Sequence, residues 1–306
     1  MMRKTLAILG AGKMGCDIAA LFAANGWITH VFEPAAGARD TLPQRVKFAL
    51  KPLRAARGAY KCVHPHESLG DLPWKNITLV IEAAPEKLAL KQNLFAQIET
   101  LSRADAILTT NTSSLRLADI TKRVKNKSRV AGVHFLTPAN ISPLVEIVRG
   151  KETDAKNLRR IDTWMKSLGK STVKLNRDIP GMIVNRVQGA MMREIFQLID
   201  EGIASAEDID TAVRYGFGFR YIACGPVRQR DFNGLEIHRD AAAQIYPTLH
   251  NGKKPARCLE ALVRDGHIGV RTGRGFYRWK KDELKQLVTE YERTMVAALK
   301  LMTRNT

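Results

Sequence analysis

The chain reads as an α/β protein: a doubly wound, mostly parallel sheet in the N-terminal part, followed by a smaller all-α domain. Three observations carry that reading. From residue 5 to about 150, short β-rich runs alternate with helical patterns, as in βαβ units around a parallel sheet. A glycine-rich motif joins the first run to the first helix. Strand signals then stop near residue 178, and only helical periodicity follows. At 306 residues the chain has room for two domains, each on the order of 100–200 residues. We place them at 1–178 and 179–306.

Taken in order, residues 6–9 are an apolar run that forms the first strand, and 14–25 are a helical pattern ended by Gly26. A second strand covers 29–33. The stretch 39–61 is rich in Lys and Arg, with apolar residues at mixed helical spacing. It is too long for a plain connection, so a helical excursion from the sheet is expected. A strand at 78–82 and a helix at Leu88–Leu101 make the next unit. Strands follow at 106–110, 129–134, 144–148 and 171–174, with a helix between 154 and 170. Pro180 and Gly181 break the pattern and mark a hinge at 176–181. Beyond it, helices are expected at 182–203, 205–215, 234–245, 255–264 and 282–302.

Gly10-Ala11-Gly12-Lys13-Met14-Gly15 fits G-x-G-x-x-G, and it lies where that motif has meaning, between an apolar strand and a helix. The first glycine makes the tight turn, the second lets backbone approach a pyrophosphate, and the third lets helix pack on strand. The N–H groups at the helix start then face the phosphates. Glu33 ends the second strand about twenty residues on, where a carboxylate bonds the adenosine ribose 2′-hydroxyl and repels a 2′-phosphate. The N-terminal domain is thus expected to be a Rossmann domain that binds NAD.

Composition narrows the class further. Hydrophobic residues make up 45% of the chain, enough for a substantial core, and no apolar run reaches the ~18 residues of a membrane span. Residues 1–4 run straight into the first strand, so no signal segment is expected and a cytoplasmic protein follows. Cys16, Cys62, Cys224 and Cys258 are scattered, which points to free thiols rather than a zinc site or disulfides. The seven histidines lack ligand spacing as well, so no metal is expected. Lys plus Arg number 49 against 30 Asp plus Glu, a net charge of +19. The basic residues are spread along the chain with no nucleic-acid module, so the charge is read as attraction for anionic ligands rather than nucleic acid.

A set of segments, in order, resembles the L-3-hydroxyacyl-CoA dehydrogenase family. They are the glycine motif, Glu82 to Lys91, Asn111-Thr112-Ser113-Ser114, His134-Phe135, Pro143 to Val148, Gly181 to Arg186, and Thr272 to Tyr277. The resemblance covers nearly the whole chain to about residue 280. It implies a catalytic pair of His134 and Glu146, with Ser113 and Asn185 bonding the reacting oxygen. It implies cofactor contacts from Glu86, Lys91 and Asn111, and sets Arg271 where the family usually has Lys. By residue type alone, a strand-end histidine is more often structural, and Asn111 to Ser114 resemble an ordinary cap. What suits His134 to the role is that imidazole shuttles protons near neutral pH, while a carboxylate on its other nitrogen fixes the tautomer.

Two departures bear on the substrate. The family's usual His-Phe-Phe-Asn-Pro is His134-Phe135-Leu136-Thr137-Pro138 here. The segment from Gly216 to Pro226 is similar to relatives that oxidise small free hydroxy acids, the L-carnitine and L-gulonate dehydrogenases, and Arg220 there can pair with a carboxylate. A CoA moiety would instead draw on Ser113 and on Lys51, with Lys47, Arg54 and Arg57, in the basic excursion. Two substrates stay open, a short 3-hydroxyacyl-CoA and a free 3-hydroxy acid, beside a non-catalytic NAD-binding protein. The 182–203 helix is apolar on more than one face, which suggests a homodimer built by the C-terminal domain, as the resemblance also implies. Glu33 yields the first prediction: kcat/KM for NAD exceeds that for NADP, and Glu33→Ala narrows the ratio without abolishing turnover. Equal kcat/KM values in the unaltered protein would refute it.

Overall fold

In the computed structural model, which describes residues 4–53 and 55–304, the alternation builds one eight-stranded sheet. Its strands are β1 (Thr5–Leu9), β2 (Ile28–Phe32), β3 (Val63–His66), β4 (Leu79–Glu82), β5 (Ile107–Thr110), β6 (Val130–Phe135), β7 (Leu144–Arg149) and β8 (Ser171–Leu175). They lie in the order β3-β2-β1-β4-β5-β6-β7-β8. All neighbours are parallel except β6 and β7, which run antiparallel. Two compact units result, Met1–Arg186 and Val187–Thr306.

The central strands β1, β4, β5 and β6 are buried along their whole length because helices cover both faces of the sheet. Along β1, Leu6 and Ile8 join one core while Ala7 and Leu9 join the other, the period-two alternation of a strand. The first core takes α1 (Lys13–Ala24), α3 (Leu42–Ala49, after a short α2 at Ala36–Asp40) and α6 (Ala155–Ser167). The second takes α4 (Leu88–Leu101) and α5 (Leu117–Ile120). The glycine motif is demanded by this packing. Gly10 has φ +109°, and a Cβ on Gly15 would lie 2.0 Å from the Gly10 carbonyl oxygen.

Two features differ from the sequence reading. The basic excursion holds helices as expected, but it returns through β3, an edge strand of sequence Val-His-Pro-His. Pro65 and the polar positions hide it, because an edge strand has one bare side and little to bury. The Lys51 ammonium of this excursion lies 4.9 Å over the Phe48 ring, and Arg54 falls outside the described residues. The second difference is the reversal at β6–β7. Its loop, 136–143, is tied down on three sides. The Thr137 hydroxyl donates to Met14 Sδ at 3.2 Å, and Asn140 Nδ2 to the Ala49 carbonyl at 2.7 Å. Lys170 Nζ donates to the Ala139 and Ser142 carbonyls at 2.8 and 2.6 Å. Burial pushes the Lys170 ammonium pKa down to about 8.

The second unit is helical: most of α7 (Val184–Asp200), then α8 (Ala206–Thr211), α9 (Pro226–Asn233), α10 (Leu235–Ile245), α11 (Arg257–Arg264) and α12 (Lys281–Arg304). The α7 helix starts two residues later than its apolar pattern, because Gly181 and Met182 both take positive φ. The expected 205–215 helix widens after Thr211 into a π-helix, Ala212–Phe217. The sequence reading missed α9, which Pro226 opens and Gly234 closes at φ +88°. Among the described residues this unit has β-structure only as isolated bridges at Gly269–Arg274 and Arg274–Arg278. No described helix is long and apolar enough to cross a membrane.

Candidate active site

The dinucleotide cradle is built from the glycine turn. Gly12 precedes α1 without a side-chain cap, leaving N–H groups at the helix start free for an anion. A Cβ on Gly12 would meet nothing within 4 Å, whereas Gly10 and Gly15 are hemmed in. The free N–H groups and the open approach at Gly12 fit a dinucleotide pyrophosphate. Glu33, one residue past β2, accepts the Ala11 N–H at 2.8 Å and the Ala35 N–H at 3.1 Å. Its carboxylate is therefore braced against the turn. Lys13 turns to Asp17, at 2.9 Å.

Across the antiparallel pair, His134 of β6 stands directly opposite Glu146 of β7. Directly opposed residues bring their Cβ atoms within about 5.5 Å. Here the His134 Nδ1–H donates to Glu146 Oε2 at 2.8 Å, which leaves Nε2 as the acceptor nitrogen. Glu146 is fully buried, and its Oε1 accepts the Ile183 and Val184 N–H groups at 2.8 and 3.1 Å. The carboxylate thus meets an imidazole on one oxygen and the start of α7 on the other, where the helix dipole favours negative charge.

His134 opens onto a cavity of about 220 Å³ that also takes in Met14, Glu86, Lys91, Asn111 and Ser113. Asn111 Oδ1 accepts the Phe135 N–H at 2.8 Å, fixing the β5 end against β6. Asn185 Nδ2 lies 3.5 Å from the Ser113 carbonyl oxygen. The structure therefore gathers the expected catalytic four and most of the expected nicotinamide contacts within the first unit. Lys51 is not among the lining residues. Arg220 and Arg271 belong to the second unit. There the Arg220 guanidinium donates to the Gly216 carbonyl and stands 6.0 Å from the Phe219 ring. Arg271 sits in the 3₁₀ turn Val270–Thr272.

Sequence reasoning missed a buried charge network beneath this cavity. Lys91 is 1% exposed and donates to Glu82 Oε1 at 2.6 Å and to the Ala84 carbonyl at 3.1 Å, with Glu86 Oε2 at 3.2 Å. Glu82 is fully buried and also accepts the Thr110 hydroxyl at 2.6 Å. Glu86 accepts the Thr112 and Ser114 hydroxyls. Burial raises the Glu86 carboxyl, but the Thr112 bond, the Lys91 charge and the Ser114 bond outweigh it and hold the pKa at about 2. The available signal was the acid closing an otherwise apolar β4, with a lysine nine positions on.

The Rossmann cradle, together with the similarities to known dehydrogenases, makes this chain an NAD-dependent oxidoreductase acting on CH–OH groups. The chain belongs to the 3-hydroxyacyl-CoA dehydrogenase family: residues 5–179 match the model of its NAD-binding domain and residues 181–279 that of its C-terminal domain. It is 30% identical to the mitochondrial hydroxyacyl-coenzyme A dehydrogenase of Sus scrofa, over 90% of this chain and 91% of that one. It is 26% identical to the 5-formyl-3-hydroxy-2-methylpyridine 4-carboxylate 5-dehydrogenase of Mesorhizobium japonicum, over 98% and 99%. A crystal structure of an enzyme of that activity, described as an NAD⁺-dependent dismutase, superposes over 99% of both chains with a TM-score of 0.92. The (S)-3-hydroxybutyryl-CoA dehydrogenase of Ralstonia eutropha, 28% identical, gives 0.73 over 92% of this chain and 100% of its own.

The buried network yields a stability prediction. Lys91→Met strands the Glu82 carboxylate and lowers the free energy of unfolding by roughly 3–5 kcal/mol, as removal of one partner of a buried ion pair does. Adding Glu82→Gln recovers part of that loss. Urea denaturation of the single and double variants measures both, and additive losses would refute the coupling.

Proposed function

We propose that the protein oxidises the 3-hydroxyl of a short L-3-hydroxyacyl-CoA to the ketone, reversibly. The observation that carries this reading is the 2.8 Å bond between His134 Nδ1 and a fully buried Glu146 at the edge of a cavity shared with Ser113. The NAD that the glycine turn and Glu33 would hold would supply the hydride acceptor for the carbinol carbon. His134 Nε2 takes the hydroxyl proton, and Glu146 steadies the imidazolium that forms. Ser113 and Asn185 hold the reacting oxygen, Glu86, Lys91 and Asn111 line the nicotinamide side, and Glu33 bonds the adenosine ribose. In reverse, the protonated His134 polarises the ketone and returns the proton to its oxygen.

A second reading has its own support. The superposition on the pyridine-carboxylate dehydrogenase, at a TM-score of 0.92 against 0.73 for the hydroxybutyryl-CoA enzyme, favours a small free carboxylate. Arg220 is the cation we assign to that carboxylate, and Lys51 the one we assign to a CoA phosphate. NAD-linked assays with 3-hydroxybutyryl-CoA, 3-hydroxybutyrate, carnitine, gulonate and the pyridine carboxylate separate the two. The first reading expects the thioester to give the highest kcat/KM, and a free acid ahead of it would overturn that reading. In either case His134→Ala lowers kcat by ~10²–10⁴ with NAD binding nearly intact, and Glu146→Gln also slows turnover. Unchanged rates would remove the pair from the mechanism.

We also propose a homodimer through the 179–306 domain. Among the described residues of Val187–Thr306, Ile209 is the only buried hydrophobic residue, while Val227 and Phe232 are 77% and 74% exposed. Exposed apolar area of that extent calls for a partner surface. Sedimentation equilibrium over a dilution series is expected to show twice the chain mass, and a single species at the chain mass at micromolar concentration would refute the dimer.

A further inference from the structure

Part of the large positive charge collects away from the His134 cavity. In the N-terminal unit a cavity of about 560 Å³ is lined by Arg116, Lys127, Arg149, Lys151 and Arg177. Its carboxylates are Glu152 and Asp178. Asp178 Oδ2 already accepts the Ala118 N–H at 3.1 Å, and Glu152 lies 3.8 Å from Lys127. Arg116 is held by Asp119 at 2.8 and 3.1 Å. Arg149, Lys151 and Arg177 have no ion-pair or side-chain hydrogen-bond partner among the described residues. Five cations and two carboxylates therefore line this space, and three of the cations are not directly paired among the described residues.

The space has a floor and a braced wall. Leu117 and Val130 line it from the buried side. The turn that carries Arg149 and Lys151 is pinned to the sheet. Gly150 N–H donates to Thr153 Oγ1 at 2.8 Å, and that hydroxyl donates to the Val130 carbonyl at 2.6 Å. A Cβ on Gly150 would sit 2.9 Å from Thr153 Oγ1 and 3.1 Å from Leu117 Cδ2, so the turn is seated directly on the floor.

We propose that this cavity binds a nucleoside triphosphate, with the base and sugar on the apolar floor and the phosphates on Arg149, Lys151 and Arg177. The volume lies within the roughly 300–1,000 Å³ of small-molecule sites. Guanidinium groups match phosphate oxygens bidentately, and a recess whose five cations outnumber its two carboxylates attracts anions. A recess suits a compact polyphosphate better than an extended nucleic-acid strand, which tracks a groove.

The test is calorimetric titration of the protein saturated with NADH, which occupies the dinucleotide cradle, using ATP, inorganic triphosphate and a single-stranded oligonucleotide. ATP is expected to bind, and more tightly than inorganic triphosphate, which lacks the ring. Arg149→Glu with Arg177→Glu is expected to weaken ATP by about tenfold or more, the scale of lost charge-assisted bonds. Lys253→Glu with Lys254→Glu makes the same change in net charge in the other unit and is expected to leave ATP binding within about twofold. Unchanged NADH affinity reports that each variant is folded. If the reversal disturbs folding, Arg149→Gln with Arg177→Gln is expected to give the same direction of loss. Absence of ATP binding, equal binding of ATP and inorganic triphosphate, equal loss in both variant pairs, or tighter binding of the oligonucleotide than of ATP would each overturn the proposal.

Discussion

The antiparallel pairing of β6 with β7 is the constraint on which the rest of the candidate site depends. A strand alternates its side chains with period two, so a slip of one residue would send Glu146 to the opposite face of the sheet. The observed register sets it directly across from His134, twelve residues away in the chain and 2.8 Å away in space. A parallel neighbour would need a crossover connection of a dozen or more residues. The short reversal brings acid and base together with no helix between them. It also breaks the parallel run of the sheet where the cavity opens.

Charge at this site is balanced by structure rather than by water. Glu146 is fully buried, and its two oxygens meet the imidazole and the first N–H groups of α7. Deeper in, Lys91 stands between Glu82 and Glu86, and threonine and serine hydroxyls satisfy the remaining lone pairs. Such groups cost several kcal/mol each to bury unpartnered. Each therefore ties its own segment to the others, and the cavity floor acts as one unit.

What was legible in the chain follows the range of each interaction. The glycine turn could be read because its demands are local: a positive φ at Gly10 and the absence of a Cβ at Gly15 are imposed by the adjoining strand and helix. The position of Glu33 just past β2 was readable from its spacing to the glycine turn. The β3 strand was not, since an edge strand with Pro65 and an exposed His64 carries no apolar alternation. The orientation of β7 was also hidden, because alternation looks the same in parallel and antiparallel strands. His134 and Glu146 could be paired only through the family resemblance. Glu82, Thr110 and Thr112 escaped notice because their network joins β4, the end of β5 and the head of α4, which meet only after folding. The late start of α7 likewise depends on backbone angles at Gly181 and Met182 that no periodicity records.

The 136–143 loop has a consequence for how this chain can vary over evolution. Surface loops commonly absorb insertions and deletions at small thermodynamic expense. This one is held at Thr137, at Asn140 and, through Lys170, at the carbonyls of Ala139 and Ser142. Adding or removing one residue would move at least one anchor off its partner, or pass the shift along to the β6–β7 register. Homologous chains can therefore exchange side chains at its exposed positions, but the count of residues between the histidine and the glutamate should drift far less than their identities. The anchors constrain the length of this stretch more tightly than its composition.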